Sequence, residues 1–418
     1  LQAFGYGKRV VILSAPTGSG KTIIAAAVAK LLDTRSLTMV HTLALQDQYR
    51  RTAGWAEIGK GKSNYPCGFP DTPRREFVRQ RLGRTGTLSC DDCDEYVGCS
   101  NTDPDGCDYF RAIGRAAAAD HVIFNYAFAA RITLPARLRR GIVGKGADDD
   151  EPGIANPFRG DQRPLAILDE GHLANNAIVS AFTLDFWHST LQGVGLQAPA
   201  AEADTAEWVR WAVGALRQLR GIESSDDPIQ ARRVDNLRSR LRTLAMINTA
   251  DWVVTREARV SHVQPIWARC VYHTAPFLRT YPMILIMSAT PGDPSLLAHK
   301  LGFEEGECAL VTMPSNFPVE NRPVFYWPVV RLSSKSDEAD YATLASAIEF
   351  IATQPRLAAT KGIVHTPSYK LVKQLRECLG SLNGRVLYQE SAAVREKLVD
   401  VFAGTDHPWL LVSPSLAT

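Results

Sequence analysis

The chain has 418 residues, 45% of them apolar and 22% charged. That is the balance of an ordinary globular protein long enough for two or three separate cores. A net charge of +3 is too slight to argue by itself for a nucleic-acid partner. No run of about 18 apolar residues occurs, so no transmembrane helix is expected, and nothing near Leu1 reads as a secretion signal. An intracellular, cytoplasmic setting without membrane contact is therefore expected. The first residue is Leu1 rather than Met, and the first motif follows about a dozen residues later. The expectation is that the chain begins inside a longer protein.

The first elements are a short apolar run, Val10 to Leu13, the turn Ser14-Ala-Pro-Thr-Gly-Ser-Gly-Lys-Thr22, and an alanine-rich helical pattern from Ile23 to Leu32. Strand, glycine turn and helix start are what phosphate binding requires. Gly18 and Gly20 let the backbone approach phosphate oxygens and turn N–H groups toward them, and the helix N-terminus adds partial positive charge. Lys21 reaches the β- and γ-phosphates, and the Thr22 hydroxyl can hold Mg²⁺. Ala15, Pro16, Thr17, Gly18, Ser19, Gly20, Lys21 and Thr22 are thus the expected ATP-binding residues. Ala15 stands where the general motif has glycine.

A buried strand is expected at Leu37–Val40, followed by His41-Thr-Leu-Ala-Leu-Gln-Asp-Gln48 entering a helix. Thr42 reads as a helix N-cap. The αβ rhythm then breaks. Arg74, Arg75, Arg79, Arg81 and Arg84 form a basic run that suits either a solvated face or phosphate contact. Five of the eight cysteines crowd between Cys67 and Cys107, including Cys90-Asp-Asp-Cys93 and Cys99. Without signs of export this clustering favours a metal site over disulfides, and the spacing leaves zinc and an iron–sulfur centre both open. A calcium loop at Asn101-x-Asp103-x-Asp105 fails, because the position for the bidentate acid is Ala112.

Ala112 to Ala119 reads as helix and His121 to Phe124 as a strand ending at Asn125-Tyr126. Residues 137–163 read as a long loop. Leu165–Leu168 is a further buried strand, with Asp169-Glu-Gly-His172 at its end. Two adjacent acids after an apolar strand are costly unless a cation pairs with them. Asp169 suits Mg²⁺, Glu170 suits the base that orients the attacking water, and His172 can sense the γ-phosphate. From Leu173 to Ala275 the pattern is mostly helical. Trp208, Trp211, Leu216 and Leu219, then Leu237, Leu241 and Leu244, fall at core spacing, and Arg232, Arg233, Arg238, Arg240 and Arg242 fall on an expected solvated face. The strand Tyr281–Met287 ends in Ser288-Ala-Thr290, whose hydroxyls can bond the acidic pair and relay nucleotide state. Beyond a polar linker, strands are expected at Val324–Val330, Gly362–His365, Arg385–Tyr388 and Trp409–Ser413. Helices are expected at Asp340–Thr353, Ser368–Leu379 and Ala392–Phe402.

Taken in order, the phosphate loop, the cysteines with Asn-Tyr-Pro-Cys67, Asp-Glu-Gly-His172, Ser-Ala-Thr290, His-Thr-Pro-Ser-Tyr369 and Leu-Val-Ser-Pro-Ser-Leu-Ala-Thr418 resemble the DinG/XPD-like superfamily 2 iron–sulfur helicases. The resemblance implies an α/β protein of two RecA-like P-loop domains with nucleotide between them, an inserted iron–sulfur domain and a helical arch. The corresponding spans are 1–58, 112–172 and 276–315 for the first motor domain, 59–111 for the cluster domain, 173–275 for the arch and 316–418 for an incomplete second motor domain. It implies ATP, Mg²⁺ and a [4Fe–4S] cluster as cofactors, with Cys67, Cys93, Cys99 and Cys107 as ligands and Cys90 as the alternative. It implies ATP-driven 5′→3′ movement on single-stranded DNA or a DNA junction, with a place in DNA repair. Thr42 and Gln46 would touch the nucleic acid, and Ser288 and Thr290 would couple hydrolysis to domain closure. The family's Gly-x-Asp after Thr418 and its arginine finger are not in the sequence. Two rival readings are a nucleic-acid-binding module without turnover and a zinc-containing P-loop ATPase.

Overall fold

The computed structural model describes the chain except residues 69–71, 84–85, 94–106, 133–157, 159–162, 221–226, 272–276, 322, 334, 383 and 415–418. It divides into two units, Leu1–Asn316 and Phe317–Thr418.

The larger unit is built on seven parallel strands: β1 (Val10–Ser14), β2 (Ser36–Val40), β3 (Glu57–Ile58), β4 (His121–Asn125), β5 (Leu165–Leu168), β9 (Met283–Ser288) and β10 (Cys308–Thr312). Their spatial order is β10-β1-β9-β5-β2-β4-β3. The central strands are buried on both faces, as their unbroken apolar runs require. Each fully buried Leu or Ile contributes on the order of 2 kcal/mol. Helices Lys21–Leu31 and Leu43–Thr52 cover one face, packing Ala25, Ala29, Leu45 and Tyr49 onto Val11, Leu13, Val40 and Ile167. Helices Asp108–Ala118, Tyr126–Ile132 and Ala174–Phe182 cover the other.

Register decides what meets at the carboxyl edge of the sheet. Ser14 of β1 pairs with Ser288 of β9, and Leu168 of β5 pairs with Ile286. The segments following β1, β5 and β9 therefore emerge side by side, where ligands bind in open parallel sheets. β3 and β10 are edge strands beyond those expected from the sequence; β3 is only two residues long.

Between β5 and β9 the chain leaves the main sheet. The expected helical insertion has helices Thr205–Leu219 and Pro228–Leu244, but also a three-stranded antiparallel sheet, β6 (Leu184–Trp187), β8 (Val260–Pro265) and β7 (Trp252–Arg256), in that order. Its strands are short and only half apolar, so the stronger helical periodicity around them masked them. Trp208, Leu219, Leu237, Leu241 and Leu244 are buried here, in line with the expected core. The basic run on the second helix is only partly solvated. Arg238 donates to the Leu219 carbonyl at 2.8 Å and Arg240 to the Asp185 carbonyl at 2.8 Å.

The smaller unit holds a parallel sheet in the order β11 (Gly362–His365), β13 (Leu410–Ser413), β12 (Val386–Tyr388), with helices Glu338–Ala352, Tyr369–Cys378 and Arg395–Gly404. Val324–Val330, expected as a strand, forms none; Val324, Phe325 and Tyr326 are almost fully exposed. Pro323 just before that run and Pro328 within it lack backbone donors, which weakens the run as a ladder partner. At the carboxyl ends of the three strands, the buried polar residues Thr366, Gln389 and Ser413 gather, and the Ser413 hydroxyl donates to the Gln389 side chain.

Candidate active site

The phosphate loop is anchored by the Ala15 N–H donating to the Ser288 carbonyl at 2.9 Å, which ties its start to the end of β9. Gly18 and Gly20 both have φ of +81°, the left-handed region that side chains disfavour. Space around Gly20 is open, so the backbone angle rather than crowding requires glycine there. The Ile24 N–H donates back to the Gly20 carbonyl at 2.9 Å, closing the first helical turn. Thr17 and Gly18 are exposed at the tip, and the Ser19 hydroxyl is buried without a hydrogen-bond partner.

Lys21 and the acids come together as expected. Lys21 Nζ lies 3.8 Å from Glu170 Oε1 and 3.4 Å from the Ala15 carbonyl. Asp169 follows β5 and is 5% exposed, with its N–H donating to the Met39 carbonyl at 2.9 Å. The Tyr126 hydroxyl donates to the Asp169 carbonyl at 2.8 Å. The main chain of Asp169 is thus held from β2 and from the residue after β4, while its Oδ1 is buried and has no hydrogen-bond partner. Burial, and then the adjacent Glu170 charge, raise the Asp169 carboxyl above its ordinary pKa. A carboxylate and a hydroxyl, with one carboxylate oxygen buried and unpartnered, fit a hard divalent cation.

Glu170 is one of two non-glycine residues with positive φ among the described residues, at +47°. Next to it, a Cβ on Gly171 would lie 2.2 Å from Ile286 Cγ2, so only glycine lets this turn rest on β9. His172 Nδ1 lies 2.9 Å from Ser288 Oγ and 3.4 Å from Glu170 Oε2. Ser288 is fully buried, and its hydroxyl also accepts the Thr290 N–H at 3.0 Å. Ser288 therefore bonds His172 rather than the two acids directly. The described contacts run Lys21, Glu170, His172, Ser288, Thr290.

Both residues expected at the nucleic acid serve the fold. Thr42 is the N-cap of helix Leu43–Thr52, accepting the Leu45 N–H at 3.2 Å. Gln46 is fully buried, and its amide donates to the Gly59 and Ile123 carbonyls at 3.0 and 3.1 Å. It faces the core and clamps β3 and β4. Of the basic run, Arg75 is buried and Arg81 pairs with Asp227 at 3.7 Å; Arg84 lies outside the described residues.

Cys67, Cys90, Cys93 and Cys107 are all buried, and Cys99 lies outside the described residues, as does nearly all of loop 137–163. An antiparallel bridge between Pro66 and Ser89 sets the Cys67 and Cys90 segments side by side. Cys90 Sγ is 4.0 Å from Cys107 Sγ, while Cys67 and Cys93 pack with Val78 and Leu88. Cys90, the alternative ligand, is thus the thiol beside Cys107. Among the described residues no three His, Cys, Asp or Glu side chains gather as a metal site.

Tyr49 and Tyr126 carry no signal in the sequence that points to the site. Tyr49 shares the buried face of its helix with Leu45, a spacing legible as core. That its hydroxyl comes near Asp169 depends on packing across three elements.

The family model described as "Type III restriction enzyme, res subunit" matches residues 1–191. A solved structure described as an XPD helicase superposes with a TM-score of 0.51 at 15% identity, covering 99% of this chain and 77% of that one. Xpd4 of S. tokodaii superposes at 0.50 and 13% identity, covering 98% and 78%. No curated protein sequence matches the chain. At these identities the likeness is one of fold: the chain has an α/β fold like that of these XPD structures.

Proposed function

We propose that this chain, folded like the XPD helicases, is an ATP-driven motor that moves 5′→3′ on single-stranded DNA. The observation that carries the reading is the convergence of Lys21, Asp169, Glu170, His172 and Ser288 at one sheet edge, with Asp169 Oδ1 buried and unpartnered. The turn from Gly18 to Thr22 cradles the phosphates through backbone N–H groups, and Lys21 leaves Glu170 to meet the β- and γ-phosphates. Thr22 and Asp169 hold Mg²⁺, which neutralises charge on the phosphate oxygens when bound. Glu170, once released by Lys21, accepts a hydrogen bond from the attacking water and orients it. His172 and Ser288 carry the change at Glu170 to Thr290, which links hydrolysis to movement. DNA is held mainly by its phosphates, so binding weakens steeply with salt and has little base preference.

Cys67, Cys93, Cys99 and Cys107, with Cys90 in place of one of them, are the residues for a [4Fe–4S] cluster. Burial of the four described thiols supports this. The cluster would brace the inserted segment 59–111.

The test is phosphate release by the full chain with and without single-stranded DNA, beside iron and acid-labile sulfide analysis after anaerobic purification. DNA-stimulated turnover, lowered at least about a hundredfold by Lys21→Ala with unchanged circular dichroism, is expected. Tight DNA binding without turnover would leave a binding module, and zinc without iron would remove the cluster assignment.

A further inference from the structure

We propose that Tyr49 is a positioning residue of the magnesium site, setting the carboxylate of Asp169 and the hydroxyl of Thr22 for the cation. The inference rests on the nucleotide-site reading above and adds a residue from outside its motifs.

Three elements meet at this phenol. Helix Leu43–Thr52 carries Tyr49 on its buried face, helix Lys21–Leu31 carries Thr22 in its first turn, and Asp169 stands directly after β5. The Tyr49 ring is 2% exposed and packs in the same core as Ala15, Ala25, Val40 and Ile167. Its hydroxyl is within interaction range of both Asp169 and Thr22, yet it makes no hydrogen bond of good geometry with either. Asp169 Oδ1 is equally buried and equally unpartnered. Two buried polar atoms left unsatisfied in one place are costly in a ligand-free fold. They are accounted for if a bound cation completes the geometry.

The chemistry of the three groups gives the order. A carboxylate only accepts, so the phenol O–H donates to Asp169. The phenol oxygen then accepts the Thr22 proton, and the Thr22 lone pairs are left to face the cation. Tyr126 acts on the main chain instead. Its hydroxyl donates to the Asp169 carbonyl at 2.8 Å, which leaves the side chain to Tyr49. Residues that orient metal ligands in this way commonly change metal affinity by about 10- to 100-fold when altered.

The experiment uses the full chain and Tyr49→Phe, which removes one oxygen and keeps the ring. Mn²⁺ binding in the presence of ADP is followed by the electron paramagnetic resonance signal of the free ion, and ADP binding is measured separately in EDTA. Tyr49→Phe is expected to weaken Mn²⁺ binding about tenfold, with metal-free ADP affinity and melting temperature held. Gln46→Leu, on the same buried face, is the control for packing damage: it lowers the melting temperature without shifting Mn²⁺ affinity. Equal Mn²⁺ affinity in Tyr49→Phe and wild type would overturn the role of Tyr49 alone. A wild-type chain that binds no Mn²⁺ with ADP would overturn the nucleotide-site reading as well.

Discussion

Asp169 shows how a single residue can work against folding. It ends an apolar strand and is nearly buried, with one carboxylate oxygen unpartnered and Glu170 beside it. Its pKa in the folded chain lies above the unfolded value, mainly through burial. The folded state thus holds the proton more tightly than the unfolded one. The penalty for the charge is absent below the ordinary aspartate range and complete above the raised folded pKa. Asp169→Asn removes the charge at nearly constant volume. It is expected to raise the melting temperature of the ligand-free chain at neutral pH, and the advantage over wild type should vanish as the pH falls through the carboxylate range. Thermal unfolding of both chains across pH checks this; an advantage that persists in acid would contradict it. Glu170 adds backbone strain to the same turn, since φ of +47° is unfavourable for a side-chain-bearing residue. The turn is held by Gly171 lying flat against Ile286.

At the scale of elements, the organising fact is that parallel register aligns three strand ends. Once Ser14 pairs with Ser288 and Leu168 with Ile286, the phosphate loop, the acidic turn and the Ser-Ala-Thr segment must adjoin. A second joint lies at the far side of the same sheet. Gln46 reaches from helix Leu43–Thr52 to the Gly59 and Ile123 carbonyls and so ties β3 and β4 to that helix. Gly59 is pressed there against Phe124, whose Cε1 would be 2.3 Å from an added Cβ. Gln46→Leu is expected to cost about 1–3 kcal/mol, chiefly by leaving the buried Gly59 carbonyl unsatisfied. Because the side chain faces inward, affinity for single-stranded DNA should not change. Denaturant unfolding and fluorescence anisotropy measure the two, and a loss of DNA affinity at unchanged stability would restore Gln46 as a contact.

At the scale of the whole molecule, the chain consists of two compact units joined near Asn316 and Phe317. The stretch from Val324 to Trp327 is exposed and in no helix or strand, and it presents three consecutive aromatic side chains. Brief treatment with chymotrypsin is therefore expected to cut at Phe325–Trp327 before any site within the three sheets. Mass spectrometry would then find one large fragment and one small one, each resistant to further cleavage. First cuts inside β1 to β5 would contradict the two-unit division. The XPD-like fold spans both units, so the likeness does not depend on the phosphate loop alone.

The residues that meet at the carboxyl edge of the main sheet were legible in the sequence because their signals are local. Lys21 follows its glycines in one turn, and Asp169, Glu170, His172 and Ser288 each stand within a few residues of an unbroken apolar strand. The helices and most strands followed from period and run length, and the core tryptophans and leucines of the inserted region from helical spacing. What the tertiary structure alone decided depends on contacts between distant segments. Gln46 turned out to be a buried clamp, Thr42 a cap, and Ser288 a partner of His172, because β-strand register and helix packing direct those side chains. The antiparallel sheet β6-β8-β7 needed residues 184–187 and 252–265 to meet across two helices. Tyr49 and Tyr126 look like core aromatics in any local window. Their hydroxyls acquire meaning only where the fold brings them to Asp169, since a hydrogen-bonding group is defined by what it faces and not by its neighbours in sequence.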